Sequence, residues 1–144
     1  MGEKTINFSG SAWVDSPDAA GLTPLYLACV KSTNSEFVRR LLAAGANPNA
    51  VDPGTGKTPL HQACTASSEQ MITYLIEAGS NINALNAVES TPLHTAVSSE
   101  YPVLAVRTLL RFGADRSIKN KSGQTALQVS LKQILIIDMF TFIN

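Results

Sequence analysis

The chain has 144 residues, equal numbers of basic and acidic side chains (11 of each), and a charged fraction of only 15%. This length favours one compact domain, and zero net charge argues against a general binder of nucleic acid or membrane surfaces, because both need a positive field. The charge is uneven, since residues 1–99 carry five basic and eight acidic side chains and residues 100–144 carry six and three. Two cysteines are too few for a disulfide framework, so we expect an intracellular protein, cytoplasmic or nuclear.

The N-terminal segment 1–17 is polar and built of small residues, apart from Phe8, Trp13 and Val14. It has no apolar stretch of the kind that marks a secretory signal. We expect either a flexible leader or an irregular N-terminal cap.

A threonine-led run then recurs four times at a nearly constant interval. The runs read Thr-Pro-Leu-Tyr-Leu-Ala-Cys from residue 23, Thr-Pro-Leu-His-Gln-Ala-Cys from 58, Thr-Pro-Leu-His-Thr-Ala-Val from 91, and Thr-Ala-Leu-Gln-Val-Ser-Leu from 125. A threonine hydroxyl can accept an orphan amide at a helix start, and proline at the first helical position has no amide to lose. The pairs Thr23–Pro24, Thr58–Pro59 and Thr91–Pro92 therefore predict the starts of short helices.

A second series keeps the same phase. Gly45, Gly79 and Gly113 are evenly spaced, at the same period as the threonine-led runs. Apolar pairs one helical turn apart precede each glycine and predict a second helix with one apolar stripe. A left-handed glycine commonly ends such a helix. Two markers in register over three periods indicate a solenoid rather than one globular core.

The Thr-Pro-Leu-His-x-Ala runs, and the Gly-Ala-Asn and Gly-Ala-Asp sequences after the second helices, resemble the ankyrin repeat family. The resemblance implies an all-α repeat solenoid of stacked helix-turn-helix units with β-hairpin-like loops, comprising three full repeats and an atypical C-terminal one. It covers about residues 18–133, divided near 18–51, 52–85, 86–119 and 120–133. One departure is Glu89, which stands where the other repeats have glycine.

The C-terminal segment 134–144 is apolar and lacks the Gly-Ala-Asp ending of a repeat. Its ten-residue run to Ile143, interrupted by Asp138, is far shorter than the roughly 20 residues of a membrane span, so we expect no membrane partner. We predict an apolar C-terminal helix or a truncated repeat. An inward stripe of Leu135, Ile136, Met139 and Phe140 would leave Ile134, Ile137 and Phe142 uncovered, which favours self-association, a docking surface, a helix folded back over the last repeat, or continuation in a larger parent chain.

Two features suggest chemistry but have stronger structural interpretations. Residues 54–58 read Gly-Thr-Gly-Lys-Thr, yet the earlier glycine that a phosphate-binding loop requires is replaced by Val51. His61 and His94 share one repeat position without the convergent ligands of a zinc site or an acid–base centre. We expect both histidines to make hydrogen bonds near helix starts, and we predict no enzyme, no metal and no cofactor.

Cys29 and Cys64 also share one repeat position, and we expect them to be buried and unpaired because packed helices hold Cα atoms too far apart for a disulfide. Asn49 and Asn83 resemble the asparagine that intracellular hydroxylases modify in ankyrin domains. They are candidates for hydroxylation, although Asn47 and Asn81 stand where the family usually has an acidic residue. Turn geometry explains both candidates more simply.

The resemblance further implies a partner-binding concave face made by hairpin tips and first helices. The positions carried over include three lysines and no acidic residue, and they are Leu22, Lys31, Lys57, Thr65, Val88, Ser90, Ser98, Lys121 and Gln124. We predict a non-catalytic protein–protein interaction module, an adaptor or scaffold, whose partner has an acidic rim and apolar anchors. The alternatives are a sensor of a phosphate-bearing ligand or oligonucleotide through the concave lysines, which the lack of aromatic side chains on that face disfavours, and a structural spacer within a larger protein.

Overall fold

A computed structural model describes residues 11–31 and 34–143, with side chains given for 13–31 and 34–134. The helices in these ranges are α1 Ser11–Val14, α2 Pro24–Lys31, α3 Ser35–Ala43, α4 Pro59–Thr65, α5 Glu69–Glu77, α6 Pro92–Val97, α7 Pro102–Arg111 and α8 Ala126–Ile143. No strand occurs in the described ranges. The first helices α2, α4, α6 and α8 contact one another in sequence, and the second helices α3, α5 and α7 form a parallel row. The all-α repeat solenoid expected from the sequence is confirmed.

The first helices begin where the threonines predict, and the reason is local hydrogen bonding. The Thr58 hydroxyl accepts the His61 amide at 3.4 Å, while His61 Nδ1 accepts the Thr58 amide at 3.1 Å. Thr91 and His94 repeat this arrangement at 3.4 and 3.2 Å. Each capping box satisfies two amides that a helix start would otherwise leave unpaired.

The core lies between the two rows of helices and combines residues of the first helices with part of the predicted second-helix stripes, while Phe37 of the first stripe is half exposed. Its fully buried members include Leu25, Leu60, Met71, Ile72, Leu75 and Leu109. No single repeat encloses these side chains, because each helix pair buries its apolar face only against its neighbours. Gly45, Gly79 and Gly113 end the second helices with φ values of 91°, 101° and 87°.

Hairpin-like loops join the repeats, each closed by a backbone bond from its first to its last residue. The closing bonds join Asp18 to Leu22, Asp52 to Lys57, Asn86 to Ser90, and Asn120 to Gln124. Neighbouring tips are also joined, since the Ala87 amide donates to the Thr55 carbonyl at 2.9 Å and the Lys121 amide donates to the Val88 carbonyl at 3.0 Å. These bonds fix the spacing of the hairpins along one side of the solenoid.

The two ends of the solenoid differ. Near the N-terminus, Val14 is buried in the core and the Asp15 carboxylate accepts the Asn47 amide at 2.9 Å, so this part of segment 1–17 packs against the first repeat. At the C-terminus, α8 continues as one helix to Ile143, and the predicted division between residues 133 and 134 falls inside it. The predicted inward stripe of Leu135, Ile136, Met139 and Phe140, and the outward positions Ile137 and Phe142, lie outside the described side chains.

Alanine at Gly56 should destabilise the fold more than alanine at Gly123. Both glycines have positive φ, 68° and 74°, but an added Cβ would lie 2.9 Å from the Ala87 amide nitrogen at Gly56 and would meet nothing within 4 Å at Gly123. We expect Gly123→Ala to lower the free energy of unfolding by about 1 kcal/mol and Gly56→Ala by at least about 1 kcal/mol more, measured by urea unfolding. Equal losses would show that the tips are not in close contact.

Glycine at Glu89 should stabilise the protein. Glu89 takes the hairpin position that glycine holds in the other repeats, and its φ is 57°. A side chain in this left-handed region carries a steric cost that glycine lacks, partly offset by the larger entropy that glycine loses on folding. We expect Glu89→Gly to raise the free energy of unfolding by about 0.5–1 kcal/mol in the same urea assay. A loss of stability would contradict the strain at this position.

Candidate partner-binding groove

A polar groove runs along the first helices beneath the hairpin tips. It encloses about 280 Å³. The lining residues come from the hairpins, from α4, α6 and α8, and from the turn after α6, and they are Lys57, Thr65, Asn86, Ser90, His94, Thr95, Ser98, Ser99, Asn120 and Val129. Lys57 is the one lysine in this lining, which contains no arginine and no acidic residue, so the groove offers hydroxyl and amide groups beside one ammonium group.

Four of the residues predicted for partner binding meet in this groove. They are Lys57, Thr65, Ser90 and Ser98. The other five predicted residues do not line it, and they are Leu22, Lys31, Val88, Lys121 and Gln124. Val88 nevertheless presents an exposed apolar side chain at a hairpin tip, with 55% of its surface accessible, and the Lys121 side chain is exposed.

Sequence reasoning missed Asn86, Thr95, Asn120 and Val129 as groove residues. The signal for the asparagines was present, because Asn86 and Asn120 begin their hairpins one repeat apart. Their side chains accept amides within their own hairpins, as in Asn86 Oδ1 with the Val88 amide at 3.0 Å. A turn-forming residue can therefore also line the groove.

Hydrogen bonds to the helix backbone hold the hydroxyl groups of the groove wall. Thr65 Oγ1 donates to the His61 carbonyl at 3.2 Å, and Ser99 Oγ donates to the Ala96 carbonyl at 2.8 Å. Ser67 Oγ and Ser99 Oγ lie 3.2 Å apart and join the ends of neighbouring first helices. These hydroxyl groups are therefore held by the protein itself, and their oxygens keep lone pairs that can accept further hydrogen bonds.

One repeat position links each first helix to the hairpin of the next repeat. His61 Nε2 lies 2.9 Å from the Ser90 carbonyl, and His94 Nε2 lies 2.8 Å from the Gln124 carbonyl. Two residues of the predicted partner-binding set are thus anchored through their backbones. Tyr26 takes this position in the first repeat, where its hydroxyl reaches Asp52 Oδ2 at 3.4 Å and accepts from Gln62 at 2.7 Å.

Comparison with known proteins agrees with this architecture. A family model of three ankyrin repeats matches residues 6–86, and a model of a single ankyrin repeat matches residues 89–121. The chain belongs to the ankyrin repeat family. Ankyrin repeats are protein-interaction modules, so this assignment gives the general class of function.

Individual relatives are much longer proteins. The mouse B-cell lymphoma 3 protein homolog is 38% identical over 128 residues, which is 89% of this chain and 28% of the relative. The Arabidopsis thaliana E3 ubiquitin-protein ligase KEG is 36% identical over 66% of this chain and 6% of its own length, and mouse Rabankyrin-5 is 29% identical over 80% and 11%. The chain therefore spans at most 28% of these relatives.

His61 is a buried titratable group whose ring reaches the carbonyl of the groove residue Ser90. Burial lowers the pKa of His61 below its ordinary value of 6.5, and the charge of Lys57 lowers it further, against the hydrogen bond to Ser90. Nδ1 accepts the Thr58 amide, which leaves the proton on Nε2 to be donated to the Ser90 carbonyl. His61 is thus a neutral structural bridge at pH 7.

The cysteines are buried and unpaired, as the repeat spacing predicts. Burial raises the pKa of Cys29 to about 12 and raises that of Cys64 as well. Both thiols are therefore protonated at neutral pH and unreactive. No group of three potential metal ligands occurs among the described residues, and no helix within them is long and apolar enough to span a membrane.

The two candidate hydroxylation sites belong to a hydrogen-bonded ladder that joins the loops after successive second helices. Asn49 Oδ1 accepts the Asn81 amide at 2.7 Å, and Asn83 Oδ1 accepts the Asp115 amide at 2.9 Å. Asn49 also donates through Nδ2 to the Gly79 carbonyl at 3.1 Å. These side chains bridge repeats, which accounts for asparagine at both positions. Hydroxylation of either residue stays a prediction.

Replacing His61 with glutamine should flatten the pH dependence of stability. Because the folded pKa lies below 6.5, the unfolded state binds more protons between these two values, and the free energy of unfolding falls as pH drops below about 6.5. Glutamine cannot titrate and still caps a helix, as Gln128 Oε1 does by accepting the Thr125 amide at 2.9 Å.

We expect His61→Gln to lower the free energy of unfolding by about 1–2 kcal/mol at pH 8. Between pH 7 and pH 5 the variant should lose less stability than the wild type, by up to about 1.4 kcal/mol per pH unit for one proton. Urea unfolding at pH 8 and between pH 7 and pH 5 measures both effects. The Asp and Glu residues titrate in both proteins, so their contribution cancels in the difference between the two free energies of unfolding. Parallel pH profiles would show that the pKa of His61 is not lowered by folding.

Proposed function

We propose that this chain is a non-catalytic adaptor or scaffold module that binds a protein partner through the polar groove and the hairpin tips above it. The observation that carries the proposal is the groove itself. It brings Lys57, Thr65, Ser90 and Ser98 from two successive repeats onto one ordered surface. Their hydroxyl, carbonyl and ammonium groups supply orientation, and the exposed Val88 beside them supplies apolar area.

The charge of this face favours a partner with an acidic rim and apolar anchors. Lys57 lines the groove and Lys121 is exposed two hairpins further along the chain, while no acidic side chain lines the groove. Complementary charge raises the rate of encounter and excludes basic competitors, whereas buried apolar contacts supply most of the affinity. A single lysine in the lining gives little for a polyphosphate or an oligonucleotide to bind.

The relatives support recognition rather than catalysis as the role of these repeats. The E3 ubiquitin-protein ligase KEG matches this chain over 6% of its length, so most of that ligase lies outside the matched region. We propose that the repeats here likewise recognise a protein rather than carry out a reaction. The buried, unpaired cysteines are consistent with a protein located in a reducing compartment, the cytoplasm or nucleus.

We also propose that the apolar C-terminal segment mediates self-association. The described part of α8 supports this, because Leu127, Leu131 and Ile134 are at least half exposed. Exposed apolar stripes of this kind mark interaction sites.

A photo-crosslinking side chain placed at Thr65 should capture the partner from a cell extract, and the same side chain at Glu77 should not. Thr65 lines the groove, whereas Glu77 is exposed at the end of α5 in the other row of helices. Lys57→Glu should weaken capture by about tenfold at low salt, because it reverses the charge inside the groove. Lys119→Glu is the matched control, since it reverses an exposed lysine outside the groove lining.

Capture from Glu77 as strong as from Thr65 would contradict binding at the groove. Equal losses from Lys57→Glu and Lys119→Glu would show that only net charge matters. Retention on heparin that moderate salt abolishes, without protein capture, would instead support the phosphate-ligand alternative.

A further inference from the structure

A second groove, apolar and larger than the first, lies between α7 and α8. It encloses about 610 Å³. Most of its lining is apolar, with two arginines, and the residues are Leu93, Val97, Pro102, Val103, Val106, Arg107, Leu110, Arg116, Ala126, Leu127 and Ser130. Because α3 packs on α5 and α5 packs on α7, the next second helix in the row would pack on α7 beside α8. The groove therefore lies where the second helix of a fourth repeat would pack, and this position is called the seat below.

The helix that borders this seat carries an uncovered apolar stripe. Leu127, Leu131 and Ile134 follow the i, i+4, i+7 spacing of one helix face and are 67%, 50% and 51% exposed. Val103 on α7 is 65% exposed. A stripe and a groove side by side fit an apolar helix better than a small ligand.

The chain contains a segment with the register of this second helix, but that segment prolongs α8 and does not pack beside it. In the first and third repeats an apolar pair follows the capping threonine at the same offset, and counting that offset from Thr125 reaches Met139 and Phe140. Residues 136–143 thus hold the register of a second helix. They continue α8 as one helix instead, and eight helical residues add about 12 Å to its length. The segment cannot lie beside its own α8 while that helix is unbroken.

We propose that the α7–α8 groove receives residues 136–143 of a second copy of this chain. Two α8 helices run antiparallel across a two-fold axis near residue 135, so that the first half of each lies beside the second half of the other. Each copy then completes the fourth repeat of its partner in the antiparallel order of a helix-turn-helix unit. This inference rests on the proposed self-association and gives it a groove, an occupant and a symmetry.

Charge supports the same occupant. The groove carries Arg107 and Arg116 in its lining. Residues 136–143 contain one acidic residue, Asp138, and no basic residue. An acidic, otherwise apolar helix complements an apolar groove with two cations on it, and a two-fold axis provides this pairing twice.

Sedimentation equilibrium over a wide concentration range tests the proposal on the full chain. The wild type should show a monomer–dimer equilibrium. Val103→Asp places a charge in the groove at an already exposed position, and Phe140→Asp places one in the inserted segment, so each should weaken dimerisation by about tenfold or more. Val51→Asp is the matched control, because Val51 is also half exposed but lies outside the groove lining. Circular dichroism checks that all variants stay folded.

Mixing the two variants identifies the occupant. A Phe140→Asp chain keeps an intact groove and a Val103→Asp chain keeps an intact segment. A mixture should therefore form heterodimers at concentrations at which each variant alone stays monomeric. A wild type that stays monomeric would overturn both this inference and the proposed self-association. Two results would contradict insertion of residues 136–143 into the α7–α8 groove without contradicting self-association. They are dimerisation that Val103→Asp does not weaken, and a mixture of the two variants that forms no heterodimer. Neither result bears on binding at the polar groove.

Discussion

The hydrogen bond from the third residue of each first helix to the hairpin of the next repeat is the contact on which the solenoid depends. His61 and His94 make it to the Ser90 and Gln124 carbonyls, and the same rings close the capping boxes of their own helices. One side chain therefore sets where a helix begins and where the neighbouring hairpin lies. Since the polar groove is bounded by those hairpins and helices, its width follows from this bond.

A second row of hydrogen bonds joins the segments that precede the hairpins of successive repeats. Asp15, Asn49 and Asn83 stand one repeat apart, and each accepts an amide at the start of the following loop, at 2.9, 2.7 and 2.9 Å. Two separated rows of bonds resist both sliding and tilting between repeats. Most of these partners are neutral, which explains how a solenoid is built with only 15% charged residues.

The sequence predicts the fold well because its signals are local and repeated. A threonine cap at residue 58 or a glycine at residue 79 acts through backbone geometry within a few residues, so its meaning does not depend on the rest of the chain. The groove is less predictable. The sequence indicates that Asn86 and Asn120 form turns, but these residues line the groove only because the hairpins stack on one another. The C-terminal segment is hardest to predict, since an apolar run without polar breaks does not reveal where a helix turns.

The two grooves use opposite faces of the same helices. On α6, Thr95 lines the polar groove while Leu93 and Val97 line the apolar one, and on α8 the corresponding residues are Val129 and Leu127. Occupation of the α7–α8 seat by a second chain therefore leaves the polar groove open. A dimer would then present two such grooves to a partner, and a partner with two binding segments would gain avidity without any new contact. A small polar groove would benefit from that arrangement, because linkage raises the effective concentration of the second site.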